Sequence, residues 1–157
     1  MKKALLIVIL TAGVIFLSYF FSNKREMEFN EKDKQELIDV DRRFSQISIE
    51  QGMKKAFLVH LDTNAVLLKP NKNPIVGFSA IQKHFTGIDD EKFTLRWIPK
   101  RADVSKLADM GFTFGTYELL NKETQEISEA GTYCSIWKKN KNNEWKLILD
   151  TGNEGLD

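Results

Sequence analysis

The chain changes its grammar at Gly87, and that change limits what it can fold into. From Leu37 up to that residue most apolar side chains recur every three or four positions; beyond it they fall into strand-length segments separated by polar turns. The segments are Phe93–Val104, Phe112–Leu120, Ile127–Lys139 and Glu144–Thr151, with turns at Ser105–Gly111, Asn121–Glu126 and Asn140–Asn143. Connections this short bring each strand back beside the last, which predicts a long antiparallel meander. Before Gly87, Leu37, Val40, Phe44 and Ile47 form one stripe of an amphipathic helix, and Met53, Ala56, Phe57 and His60 a second after a break at Gly52. Asp62, Thr63 and Asn64 read as a turn, Ala65–Leu68 as a short strand stopped by Pro70, and Asn71–Gly77 as a loop. A third helix follows, with Phe78, Ile81 and Phe85 inward. Helices first and a meander afterwards predict an α+β domain whose helices pack on one face of a curved sheet.

The N-terminus is read separately from that fold. After Lys2 and Lys3, residues Ala4 to Phe21 carry no charge, a run of about the minimum length for a membrane-crossing helix. It ends in Leu17, Ser18, Tyr19, Phe20 and Phe21, which offers no small-residue cleavage site, and no cysteine that would take a lipid anchor. The aromatic cluster followed by Lys24 and Arg25 fits a membrane interface. The expected organisation is a signal-anchor over 1–22, a polar linker over 23–34 and one folded domain over 35–154. The short N-terminal flank points to a domain held outside the cytoplasm at a bacterial-type envelope; cleavage, leaving a secreted or periplasmic domain, is the alternative.

Composition narrows the chemistry. A chain of 157 residues has room for one packed domain, and a formal net charge of +1 with no single-sign block argues against nucleic acid as a partner. Cys134 is the only cysteine, so there is no internal disulfide, and His60 and His84 are too few for a histidine-rich metal centre. No phosphate loop or nucleophile elbow occurs, and no cofactor or metal is expected.

Several runs together carry a resemblance. Gly131-Thr-Tyr-Cys-Ser-Ile-Trp137 followed by Glu144-Trp-Lys-Leu-Ile-Leu-Asp150-Thr-Gly-Asn153 resembles the last hairpin of an uncharacterised SnoaL-like group in the nuclear transport factor 2-like superfamily. Asp62–Pro70, Gly77–Phe85 and Gly111–Tyr117 occur in the order that group shows, so the resemblance spans roughly Leu37 to Asn153. It implies a cone, in which the concave face of the sheet and the helices enclose a pocket open at one end. It also implies a small apolar or amphipathic ligand and a homodimer. It does not select an activity, because the superfamily spreads enzymes and binding modules over one scaffold.

Strand alternation puts Tyr133, Ser135 and Trp137 on one face and Thr132, Cys134 and Ile136 on the other. By resemblance to ketosteroid isomerase the first set faces the pocket, joined from the last strand by Ile148 and Asp150. Trp97 and Tyr117 are further candidates for the ligand-binding wall. A carboxylate among aromatic rings is held where desolvation raises its pKa, so Asp150 is the leading candidate for catalysis, with His60 second. The positions that carry ketosteroid isomerase chemistry match Lys69, Phe44 and Ser135 here, and those residues cannot supply its carboxylate base or its acid pair. Two readings stay open. One is a ligand-binding module without catalysis. The other is an enzyme of proton transfer or hydrolysis using Asp150 with His60 or Tyr133.

Overall fold

The computed structural model describes residues 30–155. The apolar run before them lies outside the described residues, and among these no helix is long and apolar enough to cross a membrane. Three helices and six strands follow one another: α1 over 30–51, α2 (Met53–His60), β1 (Leu61–Leu68), β2 (Ile75–Val76), α3 (Phe78–Phe85), β3 (Phe93–Val104), β4 (Met110–Asn121), β5 (Ile127–Lys139) and β6 (Trp145–Glu154). Helix α1 begins earlier than its apolar stripe signals, so residues 30–34, expected in the linker, are helical.

Helices α1 and α2 break at Gly52, whose φ of 90° is a backbone state that side chains disfavour. The turn leaves the first amides of α2 unpaired within the helix, and the Asp90 carboxylate accepts one of them, from Lys54 N, at 3.0 Å. A Cβ at position 52 would meet that same carboxylate at 2.8 Å, which gives glycine a second reason to be there.

The strands form one sheet in the order β2-β1-β6-β5-β4-β3. The meander β3 to β6 is antiparallel as predicted, but β1 joins it by parallel pairing with β6. Asp62, Thr63 and Asn64 belong to β1. The Asn64 amide folds back onto the Asp62 carboxylate at 2.9 Å, and the register with β6 shifts across this stretch, so the expected turn is a bulge inside a strand. Part of the expected loop before α3 is the two-residue strand β2, paired with β1.

Further shifts interrupt the β3–β4 pairing at Pro99/Arg101, the β4–β5 pairing at Leu119/Leu120 and the β5–β6 pairing at Ile136/Trp137, and such bulges bend long strands into a concave sheet. At the last of these, Trp137 pairs with Leu147 and Ile136 with Leu149, leaving Ile148 as the extra residue. Leu147 is therefore buried and Ile148 only partly so, which corrects the inward assignment of Ile148: strict alternation fails across a bulge.

Helix α1 docks on the edge strand β3 through its serines. Ser45 Oγ donates to Trp97 O at 2.8 Å and accepts from Trp97 N at 3.0 Å, and Ser48 Oγ donates to Leu95 O at 2.6 Å. These hydroxyls satisfy backbone groups that β3 would otherwise leave unpaired on its open side. Beneath them lies an aromatic core. Phe44 meets Trp97 at 4.5 Å, Phe57 at 4.8 Å and Trp137 at 5.8 Å between ring centres, all edge-on, the arrangement ring quadrupoles favour.

Candidate functional site

The concave face does not fill completely. Between it and the helices lies a cavity of about 350 Å³, a size suited to a small organic molecule. Phe44 from α1, Phe57 from α2, Trp97 from β3 and Tyr133 from β5 form apolar walls, with Tyr117 and Leu119 from β4. Polar groups enter from Lys69 after β1, from Glu129 and Ser135 on β5, and from Asp150 and Glu154 on β6.

The wall is fixed from behind by a buried aspartate that the sequence reading missed. Asp41 is fully buried and accepts Trp97 Nε1–H and Tyr133 Oη–H, each at 2.7 Å. The Thr113 hydroxyl bonds it as well and itself accepts Trp137 Nε1–H at 2.9 Å. Burial pushes the Asp41 carboxyl above its ordinary range, and the Tyr133, Trp97 and Thr113 hydrogen bonds oppose that shift. A signal for it existed: Leu37, Asp41, Phe44 and Ser48 are spaced to share one helix face, so the carboxylate sits on the apolar stripe.

Asp150 is 9% exposed, pairs with Ser135 across the ladder and accepts the Ser135 hydroxyl on Oδ2 at 2.7 Å. Ser135 is its hydrogen-bond partner among the described residues, and the carboxylate lines the cavity. Burial raises its pKa to about 6; Lys69 and the Ser135 hydrogen bond pull it down, and the charge of Asp41 pushes it up. The tyrosine hydroxyls are already committed as donors, Tyr133 to Asp41 and Tyr117 to Glu129, and burial holds both above the usual phenol range. What a bound molecule meets is therefore the carboxylates of Asp150, Glu129 and Glu154, one ammonium at Lys69 and aromatic rings.

The expected site residues divide accordingly. Asp150, Tyr133, Ser135, Trp97 and Tyr117 line the cavity. So do Lys69 and Phe44, two of the positions matched to ketosteroid isomerase, and Ser135 is the third. Trp137 is fully buried in the core beside Phe44 and does not line it. His60 lies outside as well: its Nδ1 donates to Ala56 O at 2.9 Å, one turn back in α2, and its ring packs on Phe44 at 4.7 Å. Burial lowers its pKa, which favours the neutral ring. The Asp150–His60 pairing is not formed, and the partner of Asp150 is Ser135. Among the described residues no cluster of His, Cys, Asp and Glu is arranged to hold a metal ion.

Gly131 makes room for this wall. A Cβ there would collide with the Asn153 carbonyl oxygen and stand 2.8 Å from the Tyr117 ring, so glycine lets the strands bend closely and the ring lie over β5.

No family model and no curated protein matches the sequence. Solved structures do match the fold. A ketosteroid isomerase-like protein from Erwinia carotovora atroseptica is similar over 76% of this chain and 95% of its own, with a TM-score of 0.60 and 16% identity. A nuclear transport factor 2-like superfamily protein from Salmonella enterica serovar Typhimurium is similar over 81% and 94%, with a TM-score of 0.61 and 16% identity. A protein from Catenulispora acidiphila, solved in complex with S-DNPA, covers 76% of this chain and 91% of its own at a TM-score of 0.61 and 9% identity. At such identities the likeness establishes architecture and leaves chemistry to the residues. With its helices closing the concave side of a bent six-stranded sheet, this chain has the nuclear transport factor 2-like fold, resembling ketosteroid isomerase-like proteins in shape.

Proposed function

We propose that this domain is a small-molecule-binding module that takes an apolar or amphipathic ligand into its cavity. The observation that carries the reading is Asp150, a buried carboxylate bonded to Ser135 that lines the cavity inside aromatic walls. The Catenulispora protein of similar fold, solved with a small molecule, supports the same use of the scaffold. The test is a thermal-shift screen of small amphipathic molecules followed by titration of any hit. Asp150→Asn is expected to remove at least about tenfold in affinity without lowering the melting temperature. Equal affinity in that variant would take Asp150 out of the site.

The apolar run Ala4–Phe21 supports a domain tethered to the membrane of a cell envelope and held outside the cytoplasm. A homodimer is supported by the outer face of the sheet. There Val66, Leu149, Ile136 and Phe112 form one cross-strand row, and the Phe112 and Phe114 rings lie nearly parallel at 6.4 Å. Phe112, Phe114 and Ile98 are 39%, 41% and 60% exposed, and a partner copy seated there would cover them.

The elevated pKa of Asp150 favours a second reading, an enzyme in which it acts as a general base near neutral pH. Its companions in that reading are Ser135 and Lys69, since His60 is outside the cavity and the Tyr133 proton is held by Asp41. Turnover of a small substrate with a rate that rises through about pH 6 and is lost in Asp150→Asn would select it.

A further inference from the structure

We propose that the molecule this cavity takes is an organic cation, a protonated amine on an apolar body of one or two rings. The inference rests on the ligand-binding reading above and adds the head group. Three carboxylates line the cavity, Asp150, Glu129 and Glu154, against the single ammonium of Lys69. Asp41 stands behind Tyr133 and holds the Tyr133 hydroxyl away from the cavity as a donor. Low-dielectric walls focus such a field, so an anionic head group meets repulsion where a cation meets attraction.

The donors and acceptors point the same way. An entering anion would look for hydrogen-bond donors, but the Tyr133, Tyr117 and Ser135 hydroxyls already donate to Asp41, Glu129 and Asp150. Lys69, half-exposed on a flexible stem, is the remaining charged donor, and its own field is opposed by Asp150. A cation would look for acceptors and finds the Asp150 carboxylate on the cavity wall. An ammonium there adds a hydrogen bond to a carboxylate nine-tenths buried and neutralises a charge that burial penalises. The aromatic faces of Phe44, Trp97 and Tyr133 pack on an apolar body and attract positive charge lying over them.

The experiment uses the full-length chain and three probes that share one ring system: naphthylethylamine, naphthylethanol and naphthylacetate. Titration calorimetry near neutral pH is expected to show the amine binding at least about tenfold tighter than the alcohol, with the carboxylate weakest. Asp150→Asn is expected to bring the amine down to the alcohol while the alcohol changes by less than about twofold. The double variant Glu129→Gln with Glu154→Gln should also weaken the amine and spare the alcohol, and it carries the test if Asp150→Asn does not fold. An amine that binds no tighter than the alcohol, or keeps its advantage in folded Asp150→Asn or in the double variant, overturns the head-group assignment and leaves the binding cavity standing. Saturable binding by none of the three overturns the binding reading as well.

Discussion

Asp150 and Asp41 are both buried acids, and their partners give them opposite tasks. Asp41 receives hydrogen bonds from Trp97, Tyr133 and Thr113, so it holds the wall together, and it is fully buried and does not line the cavity. Asp41→Ala would leave an indole N–H and a phenol without acceptors in the interior. The expected loss is about 3 to 5 kcal/mol of unfolding free energy, measured by chemical denaturation. Asp150 has one partner, and its folded pKa of about 6 lies above its ordinary value of 3.8. Between those two values the folded state binds more protons than the unfolded chain, so this group's contribution makes stability fall as pH rises from about 4 to about 6 and stay lower above. Asp150→Asn should therefore raise stability at neutral pH by about 1 to 3 kcal/mol and flatten the profile between those pH values, because the amide keeps the Ser135 contact without the charge. A variant less stable than the parent at neutral pH would mean that the charge is structurally required.

Sequence periodicity locates nearly every described helix and strand, and its failures have local causes. The bounds of β3 and β5 read directly from alternation between polar turns. The start of β1 did not, because Asp62 and Asn64 have the composition of a turn and make a turn's hydrogen bond inside a strand. Parallel pairing of β1 with β6 joins segments about 80 residues apart, a relation that no local pattern encodes. The candidate site was legible where alternation held, as for Tyr133, Ser135 and Asp150, and failed at Ile148, where one bulged residue reverses the count. Trp137 lies on the face that alternation predicts, but it is fully buried against Phe44. Asp41 is not legible in periodicity, because a carboxylate on an apolar stripe is explained only by the indole and phenol that donate to it from distant strands. The closing hairpin β5–β6 supplies the buried Trp137, Trp145 and Leu147 together with the only parallel contact to β1 among the described strands. Truncation before Asn140 is expected to abolish cooperative thermal unfolding; a single sharp transition in the shortened chain would contradict this packing.

For the whole molecule, the cavity, the outer sheet face and the N-terminal run are separate surfaces with separate tests. If the outer face pairs two copies, Phe112→Glu should halve the mass measured by light scattering and leave the cavity's ligand affinity unchanged, because Phe112 points away from the concave side. If the apolar run anchors the chain, the full-length protein should stay with membranes through a high-salt wash, and a mature chain beginning near Ser22 would contradict anchoring. On the proposed reading the concave cavity is where this protein binds its ligand. The most direct measurement is titration of naphthylethylamine into the full-length chain and into Leu119→Trp, which places an indole in the cavity from β4. Saturable one-to-one binding to the parent is expected, with a loss of at least about tenfold in a variant whose circular dichroism and melting temperature are preserved. Equal affinity in the two proteins would contradict it.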